Sequence, residues 1–307
     1  MVLEDPRPDV ADAVRRGGGE ASTWSRYGGD VAWPQMDQRA ALVALRLPRA
    51  RRELDMLLHM AAGALRAGGR LLVYGANDEG IKSVSRRLEP LFEHAVTLAT
   101  GGHGRVVAAW RVTGGEPPRC GPLDWVSRIE VDILGRVRPW ISYPGVFAHG
   151  RIDDGTALLL EHLPDIADGS RVLDYGAGTG VLAAGVLERC PAARVTALEP
   201  DGLAAAAAAE NVPGAEIRIG RGWEALDGAA DWDVIIANPP YHRGKAETLA
   251  EIDSFLAGVP TGLSSKGTMR CVVQRRLPFE ARARESGLTQ TRVVADRGPY
   301  RIWEASR

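Results

Sequence analysis

Residues Val172–Leu182 read VLDYGAGTGVL, the strongest structural motif in the sequence. An apolar run ends in Asp174 and is followed by glycines at alternate positions, Gly176, Gly178 and Gly180. Glycine adopts positive φ without strain and lets the backbone pass close to a ligand. The helix expected after the glycines presents free N–H groups in its first turn. The stretch therefore predicts a strand, a ligand-binding turn and a helix, an arrangement that dinucleotide folds also use.

A carboxylate and a short polar motif stand at the ends of later apolar segments. Glu199 closes RVTALE about twenty residues after the turn, where nucleotide sites place an acid on the ribose hydroxyls. The segment WDVIIA leads into NPPY, Asn238 to Tyr241. A nicotinamide enzyme has no use for that motif, whereas an enzyme that methylates an amino group does.

The chemistry of NPPY follows from its residue types. The Asn238 side-chain oxygen and the Pro239 carbonyl both accept hydrogen bonds, so together they can hold the two N–H groups of a planar amine. This turns the nitrogen lone pair out of conjugation and towards a sulfonium methyl group. Proline fixes both acceptors by stiffening the chain, and Tyr241 offers a face on which a base stacks for about 1–3 kcal/mol. The sequence predicts an S-adenosylmethionine-dependent N-methyltransferase that works by positioning, with these three as its catalytic residues.

The order of segments predicts two domains in a chain of 307 residues. Alternating strand and helix patterns indicate an α/β fold with mostly parallel sheets. We expect a loose arm over residues 1–30, a smaller α/β domain over 31–118, a linker with a hairpin over 119–144, and the catalytic domain over 145–307.

The two predicted domains repeat a common order of segments. Ala41–Arg49 (ALVALRLPR) aligns with Asp233–Tyr241 (DVIIANPPY), Gly68–Gly75 with KGTMRCVVQ, and Gly104–Ala109 with YRIWEA. We infer a duplication whose N-terminal copy is degenerate and truncated, with its front part lost. Because that copy reads RLPR instead of NPPY and has no glycine-rich turn, a structural or RNA-binding role is left to it.

Composition argues against several classes of protein. A net charge of −1 is not that of a protein that holds nucleic acid by bulk charge alone. No apolar stretch approaches the roughly 18–20 residues of a membrane helix, and the first residues lack the pattern of a signal peptide, so we expect a cytoplasmic protein. We expect no metal, since the cysteines form no CxxC pair and the histidines show no HExxH spacing.

The motifs carry a family resemblance. The second half is similar to class I methyltransferases and resembles more closely the bacterial RsmC family of 16S ribosomal RNA guanine-N2 methyltransferases. The likeness covers PGVF, IDDGTALLLEHLP, VLDYGAGTGVL, NPPYH and PYRIWEA, and it extends weakly through the first half. It implies a Rossmann-like seven-stranded methyltransferase domain preceded by a smaller, degenerate and truncated one. It also implies a guanine amine in small-subunit ribosomal RNA as substrate, and this RNA or the small ribosomal subunit as partner.

The resemblance further implies which residues hold S-adenosylmethionine. Phe147, Asp153 and Thr156 would lie beside its methionine end. The other residues expected to line it lie on the glycine-rich turn and the strand ends: Asp174, Gly176, Ala177, Gly178, Glu199, Gly222 and Asn238. Where the family usually carries Asp or Asn for the adenine amino group, this chain has Arg221. Arginine has no acceptor, so adenine recognition would fall to backbone groups near Gly222.

Other functions compatible with the motifs differ in what they bind. An enzyme that methylates adenine N6 or a protein glutamine by the same chemistry would also carry the NPPY motif. A non-catalytic, methyltransferase-like RNA-binding scaffold would not bind the cofactor. A cytosine-C5 methyltransferase needs a nucleophilic cysteine in the loop after the fourth strand. That loop has none, since Cys271 comes on a later segment, and we exclude this last class.

Overall fold

The computed structural model describes residues 1–4, 9–27, 33–34, 36–114, 118–147, 151–239 and 245–307, with the side chains of 245–248 left out. The chain forms two compact units. The first comprises Met1–Ser127 and Tyr143–Gly145, and the second comprises Arg128–Ser142 and Val146–Arg307. Both are α/β units, as the sequence predicts.

The first unit is built on a six-stranded sheet with the order β2-β1-β3-β4-β6-β5. Its strands and helices, in chain order, are β1 (Val2–Leu3), α1 (Asp9–Arg16), β2 (Thr23–Trp24), β3 (Ala40–Arg46), α2 (Arg51–Ala64), β4 (Leu65–Ala76), α3 (Ser85–Leu88), β5 (Phe92–Gly101) and β6 (Gly104–Arg111). The inward face of α2 is apolar and buried, with Leu54, Leu57, Leu58 and Ala61 among its core residues. That spacing of three and four residues is typical of a helix lying on a sheet.

The second unit is built on a seven-stranded sheet with the order β11-β10-β9-β12-β13-β15-β14, and a separate hairpin pairs β7 with β8. Its elements are β7 (Ser127–Ile133), β8 (Arg136–Ser142), α4 (Asp154–Glu161), β9 (Arg171–Tyr175), α5 (Val181–Arg189), β10 (Arg194–Glu199), α6 (Gly202–Asn211), β11 (Glu216–Ile219), β12 (Trp232–Ala237), α7 (Lys245–Gly262), β13 (Leu263–Gln274), α8 (Phe279–Glu285), β14 (Gln290–Arg297) and β15 (Tyr300–Ser306). The sheet is parallel from β11 to β13 and antiparallel across β15 and β14.

Both faces of this second sheet are covered. Along β12, Val234 and Ile236 belong to one apolar cluster, and Ile235 and Ala237 belong to the other. Successive strand residues point to opposite faces, so a strand buried on both sides is apolar at every position. This is why the last four residues of β12, VIIA (234–237), form a continuous apolar run rather than an alternating one.

The two sheets share their strand order and pairing register. The order β3-β4-β6-β5 of the first sheet matches β12-β13-β15-β14 of the second. In the first unit the pairing jumps from Ala40–Leu65 to Leu42–Arg70, and in the second it jumps from Trp232–Leu263 to Val234–Thr268. Leu42 and Val234, at which the pairing resumes after the jump, are positions that the sequence alignment superposes. A shared irregularity of pairing supports the duplication more strongly than shared strand order does.

The structure corrects two expectations about the regions outside the domains. The first 30 residues are not simply a loose arm, because β1 pairs with β3 and β2 pairs with β1, both in parallel. They occupy the places that β9 and β10 occupy in the second sheet, so the front part of the first copy is shortened rather than lost. These strands have only two residues each, too few to show a periodic pattern.

The hairpin expected within the linker belongs to the second unit. Val131, Ile133 and Trp140 of the hairpin are buried in the same apolar cluster as residues of α4 and α5. Its alternating pattern predicts strands, but the sequence does not indicate which surface the apolar side would cover.

Candidate active site

The glycine-rich turn connects β9 to α5 at the carboxyl edge of the second sheet. The N–H groups of Gly176 and Ala177 both donate to the carbonyl of Leu198 on β10, at 2.8 and 3.0 Å. Gly176, Gly178 and Gly180 have φ of 78°, 57° and 91°. These values favour glycine, as the sequence pattern predicts.

Glu199 lies beside the turn as the last residue of β10. One carboxylate oxygen accepts the Gly178 N–H at 2.7 Å and the other accepts the Asp201 N–H at 2.9 Å. Burial raises the pKa of Glu199 to about 7, against the effect of these two donors. Because an ionised carboxylate accepts about four hydrogen bonds, Glu199 retains acceptor capacity for a ligand. Asp201 then caps α6 by accepting the N–H groups of Leu203 and Ala204.

Asp174 is fully buried beneath the turn. Its Oδ2 accepts the Ala183 N–H of α5 at 2.9 Å, whereas no described residue donates to its Oδ1. Burial raises the pKa of Asp174 to about 7. The residue therefore fixes the start of α5 and leaves one buried acceptor without a protein partner.

Asn238 follows β12 directly and is held by α4. Its Nδ2 donates to Asp153 Oδ2 at 3.0 Å and to Thr156 Oγ1 at 2.8 Å. Asp153 is itself the N-cap of α4, accepting the N–H groups of Gly155 and Thr156. Both amide hydrogens of Asn238 are thereby used, and its Oδ1 is buried without a donor among the described residues. The local arrangement therefore leaves the oxygen, not the nitrogen, as the group of this amide without a partner among the described residues.

The structure brings most of the predicted residues to one edge of the sheet. β9 pairs with both β10 and β12, so Asp174, Glu199 and Asn238 stand at the carboxyl ends of neighbouring strands. This edge, where the chain reverses its direction across the sheet, is where α/β folds bind ligands. Pro239 is buried next to Asn238, whereas Tyr241 lies outside the described residues.

The remaining predicted residues, Phe147 and Gly222, lie on other segments of the chain. Phe147 is 47% exposed. Gly222 has φ 72° and ψ −175°, a conformation that suits glycine, and it begins the 3-10 turn Trp223–Leu226. Arg221, at the position usual for an adenine-contacting acid, donates instead to Glu251 of α7 at 3.0 Å.

An aromatic cluster next to Gly222 is not predicted by the sequence motifs. The ring of Tyr175 lies 5.2 Å from that of Trp223 and 5.0 Å from that of Phe255. The Trp223 Nε1 donates to the Phe255 carbonyl at 2.9 Å, and a Cβ on Gly258 would overlap the Trp223 ring. The cluster fixes the segment that carries Gly222. The signal available in sequence is Trp223 directly after a Gly-Arg-Gly turn.

The donor set fits S-adenosylmethionine. In the described part of the chain, no group of three or more His, Cys, Asp or Glu side chains could hold a metal ion. The glycine-rich turn, the carboxylate of Glu199, and the buried Oδ1 atoms of Asp174 and Asn238 are suited to a polar organic ligand with ribose hydroxyls and a cationic centre. Within the same described ranges, no helix is long and apolar enough to cross a membrane.

Comparison with known proteins agrees with this architecture. The family Methyltransferase small domain matches residues 139–304, and Methyltransferase small domain N-terminal matches residues 19–111. Ribosomal RNA small subunit methyltransferase C of Pseudomonas putida (strain W619) is 35% identical over 288 residues, covering 92% of this chain and 83% of the relative. The protein of the same name from Pseudomonas syringae pv. syringae (strain B728a) is 31% identical over 309 residues, covering 98% and 90%.

A solved structure is similar over almost the whole chain. It is the T. thermophilus 16S rRNA N2 G1207 methyltransferase (RsmC) in complex with AdoMet and guanosine. The TM-score is 0.79 at 25% sequence identity, and the match covers 99% of this chain and 81% of that one.

Proposed function

The chain belongs to the ribosomal RNA small subunit methyltransferase C family, and from this we propose that it methylates the N2 amine of a guanine in small-subunit ribosomal RNA. S-adenosylmethionine is the proposed methyl donor. The similar solved structure is that of a 16S rRNA N2 G1207 methyltransferase. The equivalent guanine is the proposed target of this chain. An rRNA substrate also makes the cytoplasm the proposed location.

The orientation of the Asn238 amide is the observation that carries this proposal. Nδ2 is committed to Asp153 and Thr156, so the buried Oδ1 is left as an acceptor. A buried acceptor without a donor costs about 1–3 kcal/mol. An amine substrate that donates to Oδ1 recovers this energy, and a substrate with a carbonyl at that position does not.

The residues proposed to hold the cofactor surround the glycine-rich turn. Glu199 would accept the ribose hydroxyls, and Asp174, Gly176, Ala177 and Gly178 would line the same side. Gly222 would supply backbone groups to the adenine. Phe147, Asp153 and Thr156 remain proposed for the methionine end. When bound, S-adenosylmethionine supplies an electrophilic methyl group that passes to nitrogen as its bond to sulfur breaks.

The protein contributes position rather than proton transfer. Asn238 Oδ1 accepts one N–H of the guanine amine, the Pro239 carbonyl accepts the other, and Tyr241 stacks on the base. These two acceptors hold the nitrogen with its lone pair out of the ring plane. The amine loses its proton after the N–C bond has formed, so no strong general base is required. Fixed acceptors of this kind are the usual source of rate in reactions governed by orientation.

Transfer of tritium from labelled S-adenosylmethionine tests the proposal. Assembled small subunits, naked 16S rRNA and a release factor would be offered in parallel, and the labelled RNA would be mapped by mass spectrometry. We expect label in RNA, at guanine N2. Label at adenine N6, or only in a protein glutamine, would overturn the proposal that guanine N2 is the substrate. Absence of cofactor binding by calorimetry would instead favour a non-catalytic scaffold.

A further inference from the structure

The hairpin β7–β8 is bonded to the glycine-rich turn itself. The indole Nε1 of Trp140, on β8, donates to the Thr179 Oγ1 at 2.9 Å. Trp140 is only 2% exposed, so its N–H has no access to water as an alternative acceptor. A buried indole N–H that has a partner contributes to holding that partner in place.

Asn211, the last residue of α6, completes the connection between hairpin and turn. Its Oδ1 accepts the Ile141 N–H at 2.8 Å, and its Nδ2 donates to the Ile141 carbonyl at 3.0 Å. The same Nδ2 donates to the Thr179 carbonyl at 3.1 Å. One amide side chain thereby pairs with the strand β8 as a neighbouring strand would, and its second hydrogen reaches the turn.

The turn also packs closely on the end of α6. A Cβ on Gly180 would lie 2.8 Å from Val212 Cγ2 and 3.4 Å from the Ala208 Cβ. The opposite end of α6 is capped by Asp201, whose N–H donates to Glu199. Residues 176–180 are therefore held by β10, by Glu199 and by α6 with its hairpin.

We propose that Trp140 and Asn211 are positioning residues for cofactor binding, through Thr179. Neither belongs to the glycine-rich motif. Trp140 holds the side chain of Thr179 and Asn211 holds its carbonyl. Thr179 lies between Gly178 and Gly180, whose lack of a side chain gives the turn conformational freedom. A preorganised turn binds its ligand without first losing conformational freedom. This inference rests on the proposed function, since it assumes that the turn binds S-adenosylmethionine.

Calorimetric titration of the full chain with S-adenosylhomocysteine tests this role. Trp140→Phe removes the indole donor and keeps an aromatic ring in the core, and Asn211→Leu removes the amide at similar volume. One lost hydrogen bond predicts a Kd raised roughly three- to tenfold for Trp140→Phe, and a larger rise for Asn211→Leu. Methyl transfer at saturating cofactor should stay within about twofold of the wild type, because the residues act on binding alone.

Arg138→Ala is the matched control. Arg138 Nη2 donates to Glu188 of α5 at 2.6 Å, so this variant also loosens the hairpin but does not touch the turn. We expect it to lower the thermal midpoint while leaving the Kd unchanged. A Kd that follows the thermal midpoint across all three variants, or a Trp140→Phe variant with wild-type affinity, would overturn the inference. Failure of the wild type to bind S-adenosylhomocysteine would instead overturn the proposed function.

Discussion

At the scale of single residues, the amide of Asn238 has one orientation that its neighbours accept. Exchanging its oxygen and nitrogen would bring Oδ1 against the Asp153 Oδ2, which already accepts two backbone N–H groups. Two acceptors in contact repel each other, so the hydrogen-bond network decides the assignment. The catalytic role proposed for Asn238 depends on Asp153 and Thr156 even if neither touches the base.

Replacing Thr156 with valine separates two roles for this residue. The substitution keeps the shape and removes the Oγ1 that accepts from Asn238 at 2.8 Å. If Thr156 acts through Asn238, kcat should fall about tenfold, in line with one hydrogen bond, while the Kd for the cofactor stays constant. Steady-state kinetics and calorimetry measure both. A raised Kd with unchanged kcat would assign Thr156 to the cofactor instead, and Thr156→Ser should retain both values.

The pKa of Glu199 predicts how cofactor affinity depends on pH. Burial raises this pKa from 4.5 to about 7, so the free carboxyl is mostly protonated at pH 6 and ionised at pH 8. Only the ionised form offers all its acceptors to ribose hydroxyls. We therefore expect the Kd to fall with rising pH, by up to about tenfold per unit below pH 7. Calorimetry in buffers of different ionisation enthalpy should detect proton release at pH 6.

Glu199→Gln supplies the control for this dependence. The amide has no ionisation, so its affinity should be weaker and depend less on pH between 6 and 8, where Asp174 still titrates. The same raised pKa makes the ligand-free protein lose stability as the pH rises from about 4.5 to about 7, because the folded state holds this proton more tightly than the unfolded chain. An affinity that decreases with pH in the wild type would contradict the proposed role of Glu199.

At the scale of elements, the turn between β9 and α5 is constrained by its contacts as well as by its dihedral angles. Gly180 has φ 91° and also lies against Val212. Gly169 has φ 76°, but a Cβ there would meet no atom within 4 Å. Comparing substitutions at these two glycines separates the free-energy cost of a left-handed backbone from the cost of overlap between an added methyl group and its neighbours.

Alanine at these two glycines should therefore destabilise the protein to different extents. We expect Gly169→Ala to lower the free energy of unfolding by about 1–2 kcal/mol through its backbone conformation alone. Gly180→Ala should lower it by about 2–4 kcal/mol because the methyl group also overlaps Val212. Urea denaturation measures both. Equal losses would mean that α6 moves away from the turn without cost.

Elements are also where the sequence and the structure differ most. The pattern of residues 172–182 predicts the strand, turn and helix because glycine spacing and apolar runs are local properties. The strands β1 and β2 have two residues each, too few to show the alternation of apolar and polar residues that predicts a strand. The attachment of Trp140 to Thr179 joins residues 39 positions apart, and no local pattern records such a bond. Because the sequence does not reveal the bond between Trp140 and Thr179, it places the hairpin in the linker rather than in the second unit.

At the scale of the whole molecule, the first unit repeats the sheet of the second without its binding groups. By pairing register, Arg46 occupies the position of Asn238 and Ser25 that of Glu199. Arg46 is held by both carboxylate oxygens of Glu79, at 2.7 and 2.6 Å. An ion pair thus stands where the second unit has the buried, unpartnered Asn238 oxygen, and the loss of chemistry that RLPR predicts has a structural cause.

We accordingly expect one cofactor molecule per chain. Calorimetric titration with S-adenosylhomocysteine should give a stoichiometry close to one, because the sequence between β1 and α1 contains no glycine and Ser25 stands at the position of Glu199. Glu199→Ala should weaken that single event. Two binding events of similar affinity would show that the first copy has kept its site.

The meeting of Gly176, Glu199 and Asn238 at one edge of the second sheet could be predicted from sequence because they belong to contiguous motifs. Each follows a recognisable apolar strand. The partners of Asn238 could not be derived in the same way, since Asp153 precedes it by 85 positions and the resemblance suggested a cofactor contact for it. Tyr241, outside the described residues, stays a prediction.

The most direct test of the account is a comparison of Asn238→Ala with the wild type in two assays. Single-turnover methyl transfer to the small ribosomal subunit or its RNA measures the chemistry, and calorimetry with S-adenosylhomocysteine measures the cofactor site. Loss of a fixed acceptor is expected to lower the transfer rate by at least about a hundredfold, with a Kd within about threefold of the wild-type value. A variant that still methylates guanine at a rate near that of the wild type would contradict the claim that the Asn238 oxygen holds the amine.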